Sequence, residues 1–345
     1  MAAGIISLLL ASVDWDAAAL LRVGEDDSAT AAYIEEQLGD VFRVPDSGHD
    51  GKFFFIQAHD PLLLNPGEHA EAIDRPVYRS QRMLYPLLAS AGGLFGGWGV
   101  VWGLIVVNVA AIGLGTWATS RLALALGASP WLGLAFVLNP GMIFELIIDG
   151  AGALSWALAV LGMWLIVSSN YKGGVVAVAL AVLAREAMIL VAIGLAVRLW
   201  KSDRPKAVGI VAWPAVAALL WGGWVRLRLG VPLLTSQSEE IGLPFVGLAQ
   251  AVGRWIDQPG RNRLFGLVVI ALLLVAFVQA VRRPSFVSYS ALGFVVMAPL
   301  LTGQVWLNYF DISRAVAPVF TTFALAMFTP GSVEAAGDGE RFDDG

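Results

Sequence analysis

GVVWGLIVVNVAAIGLGTWATSRLALAL, residues 99–126, carries a single charged side chain, Arg121. The hydrocarbon core of a bilayer takes about 20 apolar residues of helix at about 1.5 Å per residue, so this stretch reads as a membrane-crossing helix. The rest of the chain follows suit: 57% of its 345 residues are hydrophobic and 14% charged, with mean hydropathy +0.72. A soluble domain carries about 25% charged residues. Thirteen Trp and 38 Gly agree with a membrane setting, because indoles favour the interface and glycine lets transmembrane helices pack closely. The expected fold is an all-α polytopic integral membrane protein, one transmembrane domain over 1–345 with about 9–11 transmembrane helices.

Working outward from 99–126, clear spans stand at 150–168, 206–225, 264–281 and 286–306. A further span at 130–148 should kink at Asn139-Pro140-Gly141, since proline removes a backbone donor and crowds the preceding turn. The stretch 173–200 is too long for one span and is split by Arg185-Glu186 into two short helices that meet near a membrane face. A short run at 315–328 ends at Thr329-Pro330-Gly331. The first apolar run, 5–13, is too short to cross before Asp14 and Asp16 intervene. Either a tilted helix extends through Leu21, or the start lies upstream.

Cysteine is absent, which excludes disulfides, thiolate metal sites and cysteine nucleophiles. The three histidines, His49, His59 and His69, share one polar loop, which excludes a multi-His metal centre within the bilayer. The formal charge of −5 gathers in that loop and the C-terminal tail, and it points to no nucleic-acid partner.

Short loops rich in Lys and Arg face the cytoplasm, here Arg121, Lys172, the cluster Arg198, Lys201, Arg204 and Lys206, and the pair Arg282-Arg283. That threading makes the chain a multi-pass protein of the plasma membrane. It puts the large loop 14–82 outside, with Asp149, Arg185-Glu186, 226–263 and 311–314 on the same face. The tail 331–345 then reads as a disordered acidic cytoplasmic end. Arg226, Arg228, Arg254, Arg261 and Arg263 break the positive-inside pattern, so either the threading fails there or these arginines have work outside.

In the loop 14–82, Ser28 is placed to cap a helix running through Leu38. Residues 51–58 form an aromatic-rich helix expected to lie flat in the interface. Residues 77–88 then carry Tyr78, Arg79, Arg82 and Tyr85 down into the membrane. Asp50 precedes the aromatic run beside Gly51, whose missing Cβ allows close approach. Asp50 should sit at the membrane surface near Arg79 or Arg82, a place suited to a lipid phosphate and a hydroxyl acceptor.

Two segments, HDGKFFFIQAHDP at 49–61 and RPVYRSQRMLYPLLA at 75–89, resemble the first outer loop of GT-C superfamily membrane glycosyltransferases. The bacterial mannosyltransferase-like members and the GPI-anchor mannosyltransferases are the nearest in pattern. REAM at 185–188 and FDISRAVAP at 310–318 look like recurring outer-face elements of the same chains. The resemblance implies a GT-C-like fold and transfer of a sugar, a hexose such as mannose, from a polyprenyl-phosphate carrier. The acceptor would be an envelope glycan, lipid or protein on the outer face. It places the essential acidic residue at Asp50. The chain departs from the pattern in lacking a full first helix.

Inverting transfer from a lipid phosphate needs a carboxylate for the acceptor proton and cations for the departing phosphate. Asp50 is the candidate for the first. Arg79, Arg82, Arg185, Arg226, Arg228 and Arg314, with Glu186, are candidates for substrate and phosphate binding, arginine being the better planar clamp. Tyr78, Glu145, Asp149 and Asp311 are further candidates. No metal ligand set stands out and no cofactor is required, though a divalent metal is left open.

Each residue also has a plainer reading. Asp50 sits in an Asp-Gly step that favours turns, and Asp60 before Pro61 reads as a turn residue. His49 and His59 read as polar surface groups. Arg79 and Arg82 have stems long enough to snorkel to headgroups. Arg185 and Glu186 have the makings of an ion pair serving packing, although charges at such depth are commonly functional. Glu145 and Asp149 read as a solvated helix end, Arg226 and Arg228 as an interfacial anchor, and Asp311 and Arg314 as a helix-start cap and salt bridge. Two other functions compete with glycosyl transfer: a lipid or solute transporter or flippase, and a non-catalytic subunit of an envelope-polysaccharide machine. Nothing in the chain reads as a nucleotide-binding unit, so the donor should be lipid-linked.

Overall fold

A computed structural model of the chain describes residues 1–45, 48–232, 241–257 and 260–329. The acidic tail 331–345 lies outside the described residues. Among the described residues the fold is all-α apart from one short parallel pair, Val23–Gly24 with Arg43–Val44, and an isolated bridge between Ile241 and Leu301. Among the described residues three helices are long and apolar enough to cross a membrane: Leu84–Ala125, Arg204–Leu229 and Arg261–Arg282. The number is five if two bent pairs are each one span, Pro130–Val137 with Pro140–Ile147 (47°) and Tyr309–Ala315 with Ala317–Phe328 (58°). The other expected spans fold as shorter apolar helices. Gly152–Val167, with 16 residues, reaches only about 24 Å at 1.5 Å per residue. The stretch 173–200 is split as expected, into Tyr171–Ala184 and Ile189–Leu199 around Arg185.

At the N-terminus the first helix does not run through Leu21. It stops at Ala11, Asp14 and Trp15 take left-handed backbone conformations, and a 3-10 turn covers Ala17–Leu21. The next helix is Ser28–Leu38, and Ser28 is its first residue rather than its cap. The residue before it, Asp27, gives its carboxylate to Lys52 instead of to the helix end.

The aromatic helix Gly51–His59 is the largest departure from expectation. No face of it is left open to lipid headgroups or water, because every residue from Gly51 to Ala58 is buried. Consecutive positions on a helix point about 100° apart, so Phe53-Phe54-Phe55-Ile56 puts apolar groups on every side, and such a helix goes inside. Its N-terminal end is seated by Gly51, where a Cβ would stand 2.5 Å from the carbonyl oxygen of Ile148 and 3.0 Å from that of Leu20.

The two bent pairs break against each other. Asn139, at the first break, donates to the carbonyl of Ala317 at the second (2.7 Å) and to the Thr321 hydroxyl (3.1 Å). These bonds satisfy buried groups that a broken helix would otherwise leave exposed to lipid. Close by, Gly141 lets the helices touch, since a Cβ there would lie 2.4 Å from the Ser313 carbonyl oxygen. This crossing brings Glu145 of one pair to Arg314 of the other.

Candidate functional site

The four motif segments converge. Residues from 48–53, 74–82, 185–190 and 304–318 line one cavity of 1230 Å³. One wall is charged and carries Asp50, Arg79, Arg82, Arg185, Glu186, Asp311 and Arg314. The same cavity is also lined by apolar side chains, among them Ile189, Leu190, Phe294, Val296, Met297 and Leu300. All of these come from segments expected on one membrane face or from the ends of helices adjoining it.

Asp50 stands at the centre of the charged wall. It occupies the position before the Gly51–His59 helix, yet its carboxylate caps no backbone N–H there. The turn reading of the Asp-Gly step is therefore not what its side chain does. Instead Oδ1 accepts from Arg79, Oδ2 accepts from Arg314 at 3.0 Å, and Arg82 stands 3.8 Å away. Burial pushes the Asp50 carboxyl up, but Arg79, Arg314 and Arg82 outweigh it and hold the group well below the usual carboxylate range.

Each of those three arginines has a second carboxylate on its Nε edge. Arg79 Nε donates to Asp74 (2.8 Å), Arg82 Nε to Glu186 (3.2 Å) and Arg314 Nε to Glu145 (2.8 Å). Aromatic faces steady two of them, with Arg79 over Phe53 at 4.4 Å and Arg82 over Tyr78 at 4.8 Å. Neither arginine snorkels to a surface: both are largely buried. Arg185 and Glu186 form no packing pair with each other; Glu186 serves Arg82, and Arg185 approaches Glu145 at 3.6 Å.

Glu145 and Asp149 are both completely buried, which overturns their reading as a solvated helix end. The crossing of the bent pairs covers that end. Glu145 accepts from Arg314 Nε and from the Gly152 amide at 2.8 Å. Two glycines make room for it: a Cβ at Gly150 would lie 1.9 Å from Glu145 Oε2, and one at Gly152 would lie 2.4 Å from Oε1. Asp149 does not reach the cavity. It stands beside Asn108 with neither carboxylate oxygen in a hydrogen bond, behind Tyr85, which accepts from Asn108 at 2.7 Å.

The remaining candidates divide. Tyr78 lines the cavity and accepts a hydrogen bond from Arg82. Arg226 lines it too, with Nη1 bonded to the Gly222 carbonyl at 3.1 Å. Asp311 lines it while pairing with Arg314 at 3.5 Å, and the cap of that helix is Asn308 rather than Asp311. Arg228 is not at the site. It donates to the carbonyls of Leu63 (2.7 Å) and Leu64 and so ties the polar loop to the Arg204–Leu229 helix. Asp60 is a turn residue as expected, accepting from the amides of Leu64 and Asn65 at 2.7 Å.

Sequence reading passed over charged residues of the cavity wall, Asp27, Lys52 and Asp74 among them. Asp27 and Lys52 pair there, Asp74 holds Arg79, and His49, read from the sequence as a polar surface group, lines the cavity and stacks on Phe310 at 5.1 Å. A lysine set among three phenylalanines was the available signal for Lys52, because a buried ammonium needs an anion. His59 and His69 lie elsewhere in the loop, half-buried around Tyr33, whose hydroxyl meets His69 Nε2 at 3.1 Å. Among the described residues no three His, Asp or Glu side chains gather as a metal site.

Compared with known proteins, the chain matches no family model, no curated protein and no solved structure.

Proposed function

We propose that this chain is a membrane glycosyltransferase of GT-C type. It would move a hexose such as mannose from a polyprenyl-phosphate carrier to an envelope acceptor on the outer face of the plasma membrane. In this reading the short apolar helices also cross, giving a polytopic chain with the 14–82 loop outside and the tail cytoplasmic. The observation that carries it is the cavity itself: three arginines focused on one carboxylate share it with a lining of aliphatic and aromatic side chains. That pairing of surfaces fits a ligand with a phosphate at one end and a prenyl chain at the other.

The chemistry follows. The acceptor hydroxyl oxygen bonds to the anomeric carbon, the bond from that carbon to the phosphate oxygen breaks, and its electron pair leaves on the phosphate. Asp50 takes the hydroxyl proton, and Arg79, Arg82, Arg185 and Arg314 stabilise the charge that develops on the phosphate. Purified protein incubated with polyprenyl-phosphate mannose, glucose and arabinose tests this. One of the three should be consumed with release of the polyprenyl phosphate; survival of all three in the presence of envelope acceptors contradicts it.

One observation favours a second reading. Two helices broken side by side, at Asn139 and Ala317, are a device of transporters. A flippase would move the lipid phosphate across a vesicle bilayer without consuming it.

A further inference from the structure

We propose that Asp50 occupies a three-arginine phosphate site as a built-in stand-in for the ligand, and that an arriving phosphate displaces it from Arg79, Arg82 and Arg314. The inference rests on the reading of this cavity as a phosphate site. It adds an order of events and a sign to that reading.

The geometry repeats three times. Arg79, Arg82 and Arg314 are each fixed along the Nε edge by an outer carboxylate, Asp74, Glu186 and Glu145 respectively. Each then turns an Nη end toward the single carboxylate of Asp50. A guanidinium held at one edge keeps its plane when the partner at the other end leaves, so the site survives the loss of Asp50. The two carboxylates on Arg314 show which can leave. Glu145 is fully buried, is bonded to the Gly152 amide and is enclosed by Gly150 and Gly152. Asp50 lines the cavity with 16% of its side chain exposed, and among the described residues its carboxylate is given bonds only by guanidinium groups.

Arg185 completes the site. It lines the same cavity, and its guanidinium approaches Glu145 at 3.6 Å but makes no hydrogen bond to the described residues, so its donors are open to a ligand. A phosphate with one or two negative charges and several acceptor oxygens can use all four arginines, where one carboxylate uses three. The displaced Asp50 then loses the cations that keep it a weak base. It becomes able to accept a proton only after the phosphate is seated, so the phosphate-bearing substrate binds before the hydroxyl substrate is activated.

Binding to the full chain in detergent micelles tests this without any transfer reaction. Inorganic phosphate and a short-chain polyprenyl phosphate are titrated separately into wild type, Asp50→Asn, Asp50→Ser and Asp27→Asn, with folding checked by thermal unfolding. Removing the competitor should tighten phosphate binding by about tenfold or more in both Asp50 variants, given the worth of charged hydrogen bonds. Asp27→Asn, which frees Lys52 rather than an arginine on the same cavity, should tighten it less than either Asp50 variant does. Tightening for both probes assigns the site to the phosphate group, and tightening for the lipid probe alone assigns it to a lipid headgroup; either supports displacement. Unchanged or weaker binding in the folded Asp50 variants overturns it, as does equal tightening in Asp27→Asn. Tightened binding without sugar transfer by wild type would leave this inference standing and remove the glycosyltransferase reading alone.

Discussion

Arg314 Nε donates to Glu145 at 2.8 Å across 169 residues of sequence, and both side chains are buried. This bond ties the two broken helices together beside the cavity. Replacing one member of a buried pair strands the other, at a cost of about 3–5 kcal/mol. Glu145→Leu should therefore lower thermal stability sharply, and Glu145→Gln, which still accepts a hydrogen bond, should lower it less. Equal unfolding temperatures for Glu145→Leu and wild type would show that the pair does not hold the crossing.

The space around Glu145 gives a test by volume alone. Gly152→Ala places a Cβ 2.4 Å from the Glu145 carboxylate and should cost about 1–3 kcal/mol. Gly113→Ala, in the interior of the Leu84–Ala125 helix with nothing within 4 Å, should be neutral or stabilising by up to about 1 kcal/mol. The comparison is read from unfolding curves of the two variants side by side. A Gly152→Ala protein as stable as Gly113→Ala would mean that Glu145 is free to move aside.

The sequence carried the parts of this site but not their pairing. Asp50, the arginines at 79, 82, 185 and 314, and the breaks at Asn139 and Arg185 could be read because charge and proline within apolar runs are local signals. That Asp50 meets Arg314 across 264 residues could not, since no spacing rule links helices so distant in the chain. The expectation of an exposed interfacial face on 51–58 failed for a physical reason: aromatic content was taken as amphipathic character, whereas three successive Phe residues have no polar face to leave in water. Asp74, Asp27 and Lys52 were passed over because a surface-like composition hid their buried partners. Arg228 was a candidate because, like Arg226, it breaks the positive-inside pattern, but two residues along a helix point about 200° apart, and Arg226 alone of the two lines the cavity.

Asp50 also makes a prediction in pH. Its native carboxyl lies well below the usual value, so its contribution to stability is complete above the unfolded value of about 3.9. The contribution declines as pH falls below that value and is lost as pH passes through the native one. Asp50→Asn should thus unfold at lower temperature than wild type at pH 7, with the gap narrowing below about pH 4. Added phosphate should restore part of the loss at pH 7 by binding the vacated arginines. A gap that stays constant down to pH 3 would contradict the ion-pair account.

Two arginines separate anchoring from substrate binding. Arg228→Gln removes bonds to the Leu63 and Leu64 carbonyls and should cost about 1 kcal/mol of stability with KM for the donor little changed. Arg185→Gln removes an open donor from the cavity and should raise KM about tenfold while stability holds. Steady-state kinetics with the lipid-linked donor distinguishes them, and a larger KM change in Arg228→Gln than in Arg185→Gln would reverse the assignment.

The most direct measurement is transfer of labelled hexose from its polyprenyl phosphate to an envelope acceptor, by wild type and Asp50→Asn at matched levels in proteoliposomes. The account predicts transfer by wild type and a loss of about 10²-fold or more in Asp50→Asn, the usual worth of a positioned base. Undiminished transfer by Asp50→Asn, or movement of the donor across the bilayer by wild type with no sugar released, would contradict it.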